Sequence, residues 1–440
     1  MKKLSFFLLL IFAFSFFYNV NVKAAVSAPA SDAEGVVLMD AVTGKVLYEK
    51  NGSKILAPAS TTKIMTALLV LKNCQLSETV TVSKSATEAE GTRIGLVEGE
   101  IFTVKDLLYG MLLLSANDCA EALAEHVSGS PAAFADLMNK TARELGAKDT
   151  HFVNPSGLYE DDHKTTAYDL SLIMGEVSKN QTFLDITRTP AYEFPDSNLG
   201  GQRHWADNKN DLVRKNSKYY YQYALTGKSG YTTPSKHTYT AVAEKDGQKL
   251  ILSILYSPSK DSYFSEAKTI FEYGFDNFST VKLYSKGDVL CEYSMGDSDK
   301  IPLLATQDIY CTVKKGEENS IKSTVTPEDK DLSDVSFNKG DEILSASLYI
   351  NNEKAQTVKL AAGVDKPKTL SVISSNVYSG SGLIKKVLIT CASVFVLVFM
   401  FISRRKRVIK RRKAKAKYNQ MVKKKNKYNK RYKYNKKNYF

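Results

Sequence analysis

The stretch Ala57–Leu71, A-P-A-S-T-T-K-I-M-T-A-L-L-V-L, limits what the rest of the chain can build. From Ile64 to Leu71 a helix would be apolar on every side except at Thr66. Such a helix is central, and other elements must wrap it. Pro58 suits a helix start. Ser60 and Lys63 then share one face at the head of the helix. Burial disfavours the charged form of a lysine. A neutral amine beside a hydroxyl can take its proton and make serine a nucleophile, and a helix N-terminus favours the negative charge that develops. A capping serine with a lysine snorkelling to solvent is the competing reading, and S-x-x-K alone does not decide between them.

The ends of the 440-residue chain set its topology. Met1-Lys2-Lys3, an apolar run to Tyr18 and the small-residue site V-K-A-A at 22–25 read as a secretory signal peptide over residues 1–24. A second apolar run, Val387–Ile402, has 16 residues. Leu383, Ile384 and the stems of Lys385 and Lys386 extend it toward the ~20 needed to span a bilayer, giving a transmembrane helix over 383–403. R-R-K-R at 404–407 places the following tail in the cytoplasm. The expected product is a single-pass protein of the cell membrane with its body outside. Lysine, asparagine, tyrosine and isoleucine richness hints at an AT-rich bacterial genome and, from that, a Gram-positive cell.

The net charge of +14 must be divided accordingly. Residues 404–440 carry 19 Lys or Arg and no acid, so the remainder is mildly acidic, about −5. The tail is low-complexity and cannot build a core. Anionic lipid headgroups are its expected partner, and no specific nucleic-acid binding is expected. The five cysteines show no C-x-x-C and no metal spacing. Cys291 and Cys311 could pair between neighbouring strands, but an odd, sparse set favours free, buried thiols.

Periodicity divides the body. Residues 25–278 mix strands and helices. G-V-V-L-M-D and K-V-L-Y-E-K flank a turn at Thr43-Gly44, helices follow Ser60 and Thr103 and run through D-C-A-E-A-L-A-E-H-V and from Pro131 to Gly146, and a late hairpin turns at Asp246-Gly247. Strands early and late with helices between predict an α+β fold, an antiparallel sheet whose first and last strands meet plus a helical lobe. Residues 279–365 read as a small all-β domain and 366–382 as a linker. The acidic run Glu160-Asp161-Asp162-His163 reads as a solvated loop in preference to an ion site.

Two further patterns join Ser60 and Lys63. L-L-L-S-A-N-D-C-A places Ser115 and Asn117 between helices, and A-L-T-G-K-S-G-Y-T-T places Lys228, Ser229 and Gly230 on a strand before the hairpin. S-x-x-K, S-x-N and K-[ST]-G in this order is the motif set of the penicillin-recognising serine acyl-enzymes. F-V-N-P-S-G-L at 152–158, T-T-A-Y-D-L-S-L-I at 165–173 and E-A-K-T-I-F-E-Y-G-F-D-N-F at 266–278 strengthen the likeness. Over roughly residues 30–370 the chain resembles the D-alanyl-D-alanine carboxypeptidases, the low-molecular-weight penicillin-binding proteins.

That resemblance implies a β-lactamase-like catalytic domain, a peptidoglycan stem peptide or a β-lactam as ligand, and no cofactor or metal. It implies Ser60 as nucleophile, Lys63 as base, Ser115 and Asn117 as their partners, and Lys228, Ser229, Gly230, Tyr231 and Thr232 as the substrate-binding strand, with the amides of Ser60 and Tyr231 as oxyanion hole. Two positions depart from the family pattern. Ser229 stands where threonine is usual, and Tyr263 where an arginine commonly grips the substrate carboxylate. Arg203 and Arg214 are the substitutes to consider. A β-lactamase is the first alternative, but no E-x-x-L-N pattern precedes the K-S-G strand. A catalytically weak wall-binding scaffold of the same fold is the second.

Overall fold

The computed structural model describes residues 28–201, 203–295 and 299–367. The expected signal peptide, membrane span and basic tail lie outside the described residues. Among the described residues no helix is long and apolar enough to cross a membrane.

Five antiparallel strands form the central sheet. They are β1 (Gly35–Asp40), β2 (Val46–Lys50), β3 (Ala224–Thr232), β4 (Lys236–Lys245) and β5 (Gln248–Ser257), in the spatial order β2-β1-β5-β4-β3. Gly44 at φ +71° makes the first turn and Gly247 at φ +80° the late one, a conformation that costs glycine little. The first strand meets the last, with Val36 opposite Ile254 and Leu38 opposite Leu252. All six residues of β1 are buried, because both faces of the sheet are covered.

The expected central helix is α1 (Lys63–Asn73), buried from Lys63 to Val70. A 3₁₀ turn, Ala59–Thr62, leads into it and carries Ser60. A helix over Val104–Tyr109 starts at a capping box between Thr103 and Asp106 and runs into a π-helical turn, Gly110–Leu114. Then come α2 (Asn117–Ser128), α3 (Pro131–Glu144), α4 (Ala167–Val177) and α5 (Gln181–Arg188). The pattern reading passed over α4, whose polar Asp169 and Ser171 interrupt its apolar run. Ser171 is buried and donates to Ser253 on β5, and Thr166 caps the helix through the Asp169 amide. α4 covers one face of the sheet. α6 (Lys260–Asn277) covers the other, and Gly274 lets it lie against Leu38 and Leu250, where a Cβ would clash.

From Phe278 to residue 367 the described regular elements are strands except one short turn of helix, Glu318–Ser320. β6 (Phe278–Tyr284) pairs with β9 (Ile309–Lys314), while β7 (Val289–Met295), β8 (Asp299–Ala305), β10 (Ser323–Pro327), β11 (Glu342–Ile350) and β12 (Glu353–Ala362) form a sheet ordered β7-β8-β12-β11-β10. Ile301, Leu303, Leu344, Leu348 and Leu360 centre its core. The β6–β9 pair contacts the body through Thr43 to Thr312 at 2.6 Å and Lys45 Nζ to the Thr312 carbonyl at 3.0 Å. Cys291 and Cys311 are free thiols on strands of different sheets, which rules out a bond between neighbouring strands; Cys311 is buried and Cys291 partly exposed.

Candidate active site

Ser60 is held by the backbone around it. Ala59 has φ +48°, a left-handed conformation costing about 1–2 kcal/mol in a residue with a Cβ. The two threonines after Ser60 tie the chain back. Thr61 Oγ1 donates to the Pro58 carbonyl at 2.6 Å and Thr62 Oγ1 to the Ala59 carbonyl at 2.8 Å. Thr238 on β4 donates to the Pro58 carbonyl as well, at 2.8 Å. His163 braces Thr62 from behind. The Val153 amide donates to its Nδ1 at 3.1 Å, so Nε2 carries the proton and donates to Thr62 Oγ1 at 2.8 Å. Burial, with smaller contributions from His151 and Lys63, pushes His163 down to about 3, so the ring is neutral. Glu160, Asp161 and Asp162 are exposed as expected, but His163 is buried; it belongs to the support of the serine turn and not to a solvated loop.

Lys63 is wholly buried, and its Nζ faces three oxygens: Asn117 Oδ1 at 2.6 Å, the Ser156 carbonyl at 2.5 Å and Ser60 Oγ at 3.1 Å. The first two can only accept. A neutral amine therefore spends both N–H groups on them and turns its lone pair to the Ser60 hydroxyl. Burial first, and then the charge of Lys228, hold Lys63 well below the ordinary lysine range. Asn117 cannot turn away, because its Nδ2 donates to the Glu90 carbonyl at 2.6 Å and its amide to the Thr92 carbonyl at 2.6 Å. The neighbouring buried Asp118 carboxylate binds the same loop through the amides of Ile94, Gly95 and Leu96.

Ser115 ends the π-helical turn at φ +72°. There its Oγ accepts from Lys228 Nζ at 2.9 Å, and Lys228 also donates to the Ser229 carbonyl at 2.8 Å. Burial alone lowers Lys228 to about 7. Gly230 brings β3 against the serine turn; a Cβ there would sit 2.5 Å from the Ser60 amide nitrogen and 2.6 Å from Thr238 Oγ1. Tyr231 is 55% exposed, with its ring 4.6 Å from that of His237 across the strand pair. The Thr232 hydroxyl is engaged in the β3–β4 turn, 2.6 Å from Ser235 Oγ and accepting from the Ser235 amide.

The structure brings Ser60, Lys63 and Asn117 into hydrogen-bond contact and Ser115 into contact with Lys228; motif reading does not single out Ser156, His163, Thr62 and Thr238, which support them. Tyr263 is core and not surface. It is 2% exposed, and its ring lies 5.1 Å from that of Tyr239, the cross-strand partner of Ser229. Arg203 pairs with Glu193 and Asp196, and Arg214 with Asp211.

Residues 22–259 match the family described as D-alanyl-D-alanine carboxypeptidase, and residues 278–368 match the C-terminal domain of penicillin-binding protein 5. The chain is 35% identical over 284 residues to the D-alanyl-D-alanine carboxypeptidase DacF of Bacillus subtilis, covering 63% of this chain and 71% of that one. It is 33% identical over 264 residues to DacB2 of Mycobacterium tuberculosis, covering 58% and 88%. Among solved structures, penicillin-binding protein 5 of Haemophilus influenzae aligns with a TM-score of 0.66 at 26% identity, over 78% of this chain and 99% of that one.

Proposed function

This chain belongs to the D-alanyl-D-alanine carboxypeptidase family, and from that premise we propose how its cleft performs serine-type carboxypeptidase chemistry on peptidoglycan stem peptides. Lys63 takes the Ser60 proton, and Ser60 Oγ attacks the carbonyl carbon of the penultimate D-alanine. The amides of Ser60 and Tyr231 receive the oxyanion, since Gly230 lets the strand pass beside the serine turn. The peptide C–N bond breaks, and the proton travels from Lys63 through the Ser115 hydroxyl to the leaving amine. Lys228 and the Ser229 hydroxyl hold the terminal carboxylate. Water, with Lys63 again as base, then hydrolyses the ester and frees Ser60.

One observation carries this reading: a buried Lys63 with two carbonyl acceptors and one serine hydroxyl as its neighbours. A fluorescent penicillin should label the protein covalently, and D-alanine should be released from a peptide ending in D-Ala-D-Ala. Ser60→Ala should abolish both. Undiminished labelling of the Ser60→Ala protein removes the assignment, and rapid turnover of the penicillin moves the chain to the β-lactamases.

The location is part of the same proposal. Residues 1–24 direct export, residues 25–278 and 279–365 stand outside the membrane, 366–382 link them to a span at 383–403, and the tail at 404–440 meets anionic headgroups from inside. The export signal and the 19 basic residues beyond Ile402 support this reading. Protease added to wall-stripped cells should digest the body and spare an epitope on the tail; loss of that epitope refutes the span.

A further inference from the structure

The two helices that carry Lys63 and Asn117 at their heads also converge at their far ends, about 16 Å along the axis of α1. Cys74 is the C-cap of α1, and His126 lies in the last turn of α2. Glu78 sits one residue before the short strand Thr79–Thr81. A ligand atom from each of Cys74, Glu78 and His126 lies within 4.8 Å of the other two, and all three residues are half-buried. Tetrahedral coordination at ordinary zinc distances needs ligand atoms about 3.3–3.8 Å apart, so small side-chain shifts close the set.

The carboxylate is already oriented for such a role. The Gln75 amide donates to Glu78 Oε1 at 2.6 Å and fixes the carboxylate, whose Oε2 faces His126 Nε2 at 3.0 Å. A hydrogen bond that orients a ligating carboxylate is what a metal site uses outside its ligands. The C-terminal ends of both helices also present partial negative charge to this point, which suits a cation. Sulfur, nitrogen and oxygen donors together select a borderline-soft ion over calcium or magnesium, and three protein ligands leave a fourth position for water.

The geometry points to a Zn²⁺-class site at Cys74, Glu78 and His126 that staples the far ends of α1 and α2. Its role is structural, since it lies a helix length from the nucleophile. A thiolate is the form that binds metal, so the ion displaces the Cys74 thiol proton to solvent when the metal–sulfur bond forms. Binding therefore tightens as pH rises.

The test uses the full-length protein in detergent, titrated with Co²⁺ and then Zn²⁺. Co²⁺ should raise a near-ultraviolet thiolate-to-cobalt band with the visible bands of a tetrahedral site, Zn²⁺ should erase both, and Zn²⁺ should raise Tm. Loss of an orienting contact alone costs a metal site about 10–100-fold in affinity, so removing a ligand through Cys74→Ser or His126→Ala should exceed that. Glu78→Gln is the milder variant should either fold poorly, and penicillin labelling reports the folding of all three. Absence of the thiolate band overturns the site. So does a band that persists in Cys74→Ser, which would put the ion on another cysteine, or an equal Zn²⁺ effect on Tm in that variant.

Discussion

The two walls of the cleft each bury a lysine, and they treat it differently. On the helical wall Lys63 is surrounded by oxygens supplied from three separate segments: the serine turn, α2 and the Asn154–Gly157 turn. On the strand wall Lys228 touches one serine hydroxyl and the carbonyl of its own neighbour. Lys63 is lowered by burial and then by Lys228; Lys228 is lowered by burial alone, to about 7. One environment fixes a neutral amine before substrate arrives. The other leaves a cation within reach of neutrality that an incoming carboxylate recharges. In the proposed mechanism these surroundings make one lysine the base and the other the anion receptor.

The sharpest way to break this comparison is at Lys63. Lys63→Ala should slow acylation by penicillin by about 10³-fold or more, as loss of the group that activates a nucleophile does. Stopped-flow acylation checks it, and a loss below tenfold would show that the helical wall is not where the base resides.

Lys228 should matter less, and chiefly for peptide. A charge-assisted hydrogen bond contributes ~1.5–3 kcal/mol, so Lys228→Ala should lower kcat/KM on a D-Ala-D-Ala peptide by roughly tenfold to a hundredfold. The pH profile separates the two walls. Lys228 is charged below about 7 and loses that charge as pH rises, so kcat/KM should fall on an alkaline limb near there. Lys63 must be neutral, so the acid limb follows its depressed value. Lys228→Arg keeps the charge and should move the alkaline limb upward while leaving the acid limb. Movement of neither limb would contradict the division of labour.

The smallest expected effect is at Tyr263. It packs against Tyr239, the cross-strand partner of Ser229, and Ser229 lacks the methyl that would restrict a threonine's rotamer. Tyr263→Phe keeps the ring that backs the strand and removes one buried hydroxyl, so it should change KM for peptide by less than about 10-fold, with little change in penicillin acylation. Tyr263→Arg, which the family likeness recommends as an improvement, would instead bury a guanidinium against Tyr239 and Phe264. It should cost stability, seen as a lower Tm.

What the sequence revealed follows from range. The helix after Ser60, the Thr103 cap and the Asp246-Gly247 turn are written in local periodicity and turn chemistry, and the motif residues stood out by spacing. Ser156 did not, because it acts through its main-chain carbonyl, which its side chain does not advertise. His163 was masked by three exposed acids beside it, and Thr238 by its place in an ordinary strand. The distal Cys74, Glu78 and His126 meet only because two helices run side by side.

The pairing of β1 with β5 has a kinetic meaning. Gly35–Asp40 opposes Leu250–Leu255, so the central sheet closes only when two segments more than 200 residues apart find each other. Loop closure on that scale makes folding slow and leaves β1, paired only with β2, with one open edge in any fragment that lacks β5. A chain ending before Gln248 cannot finish the sheet that presses Gly230 against Ser60, so the serine turn is among the last features of this protein to come into being.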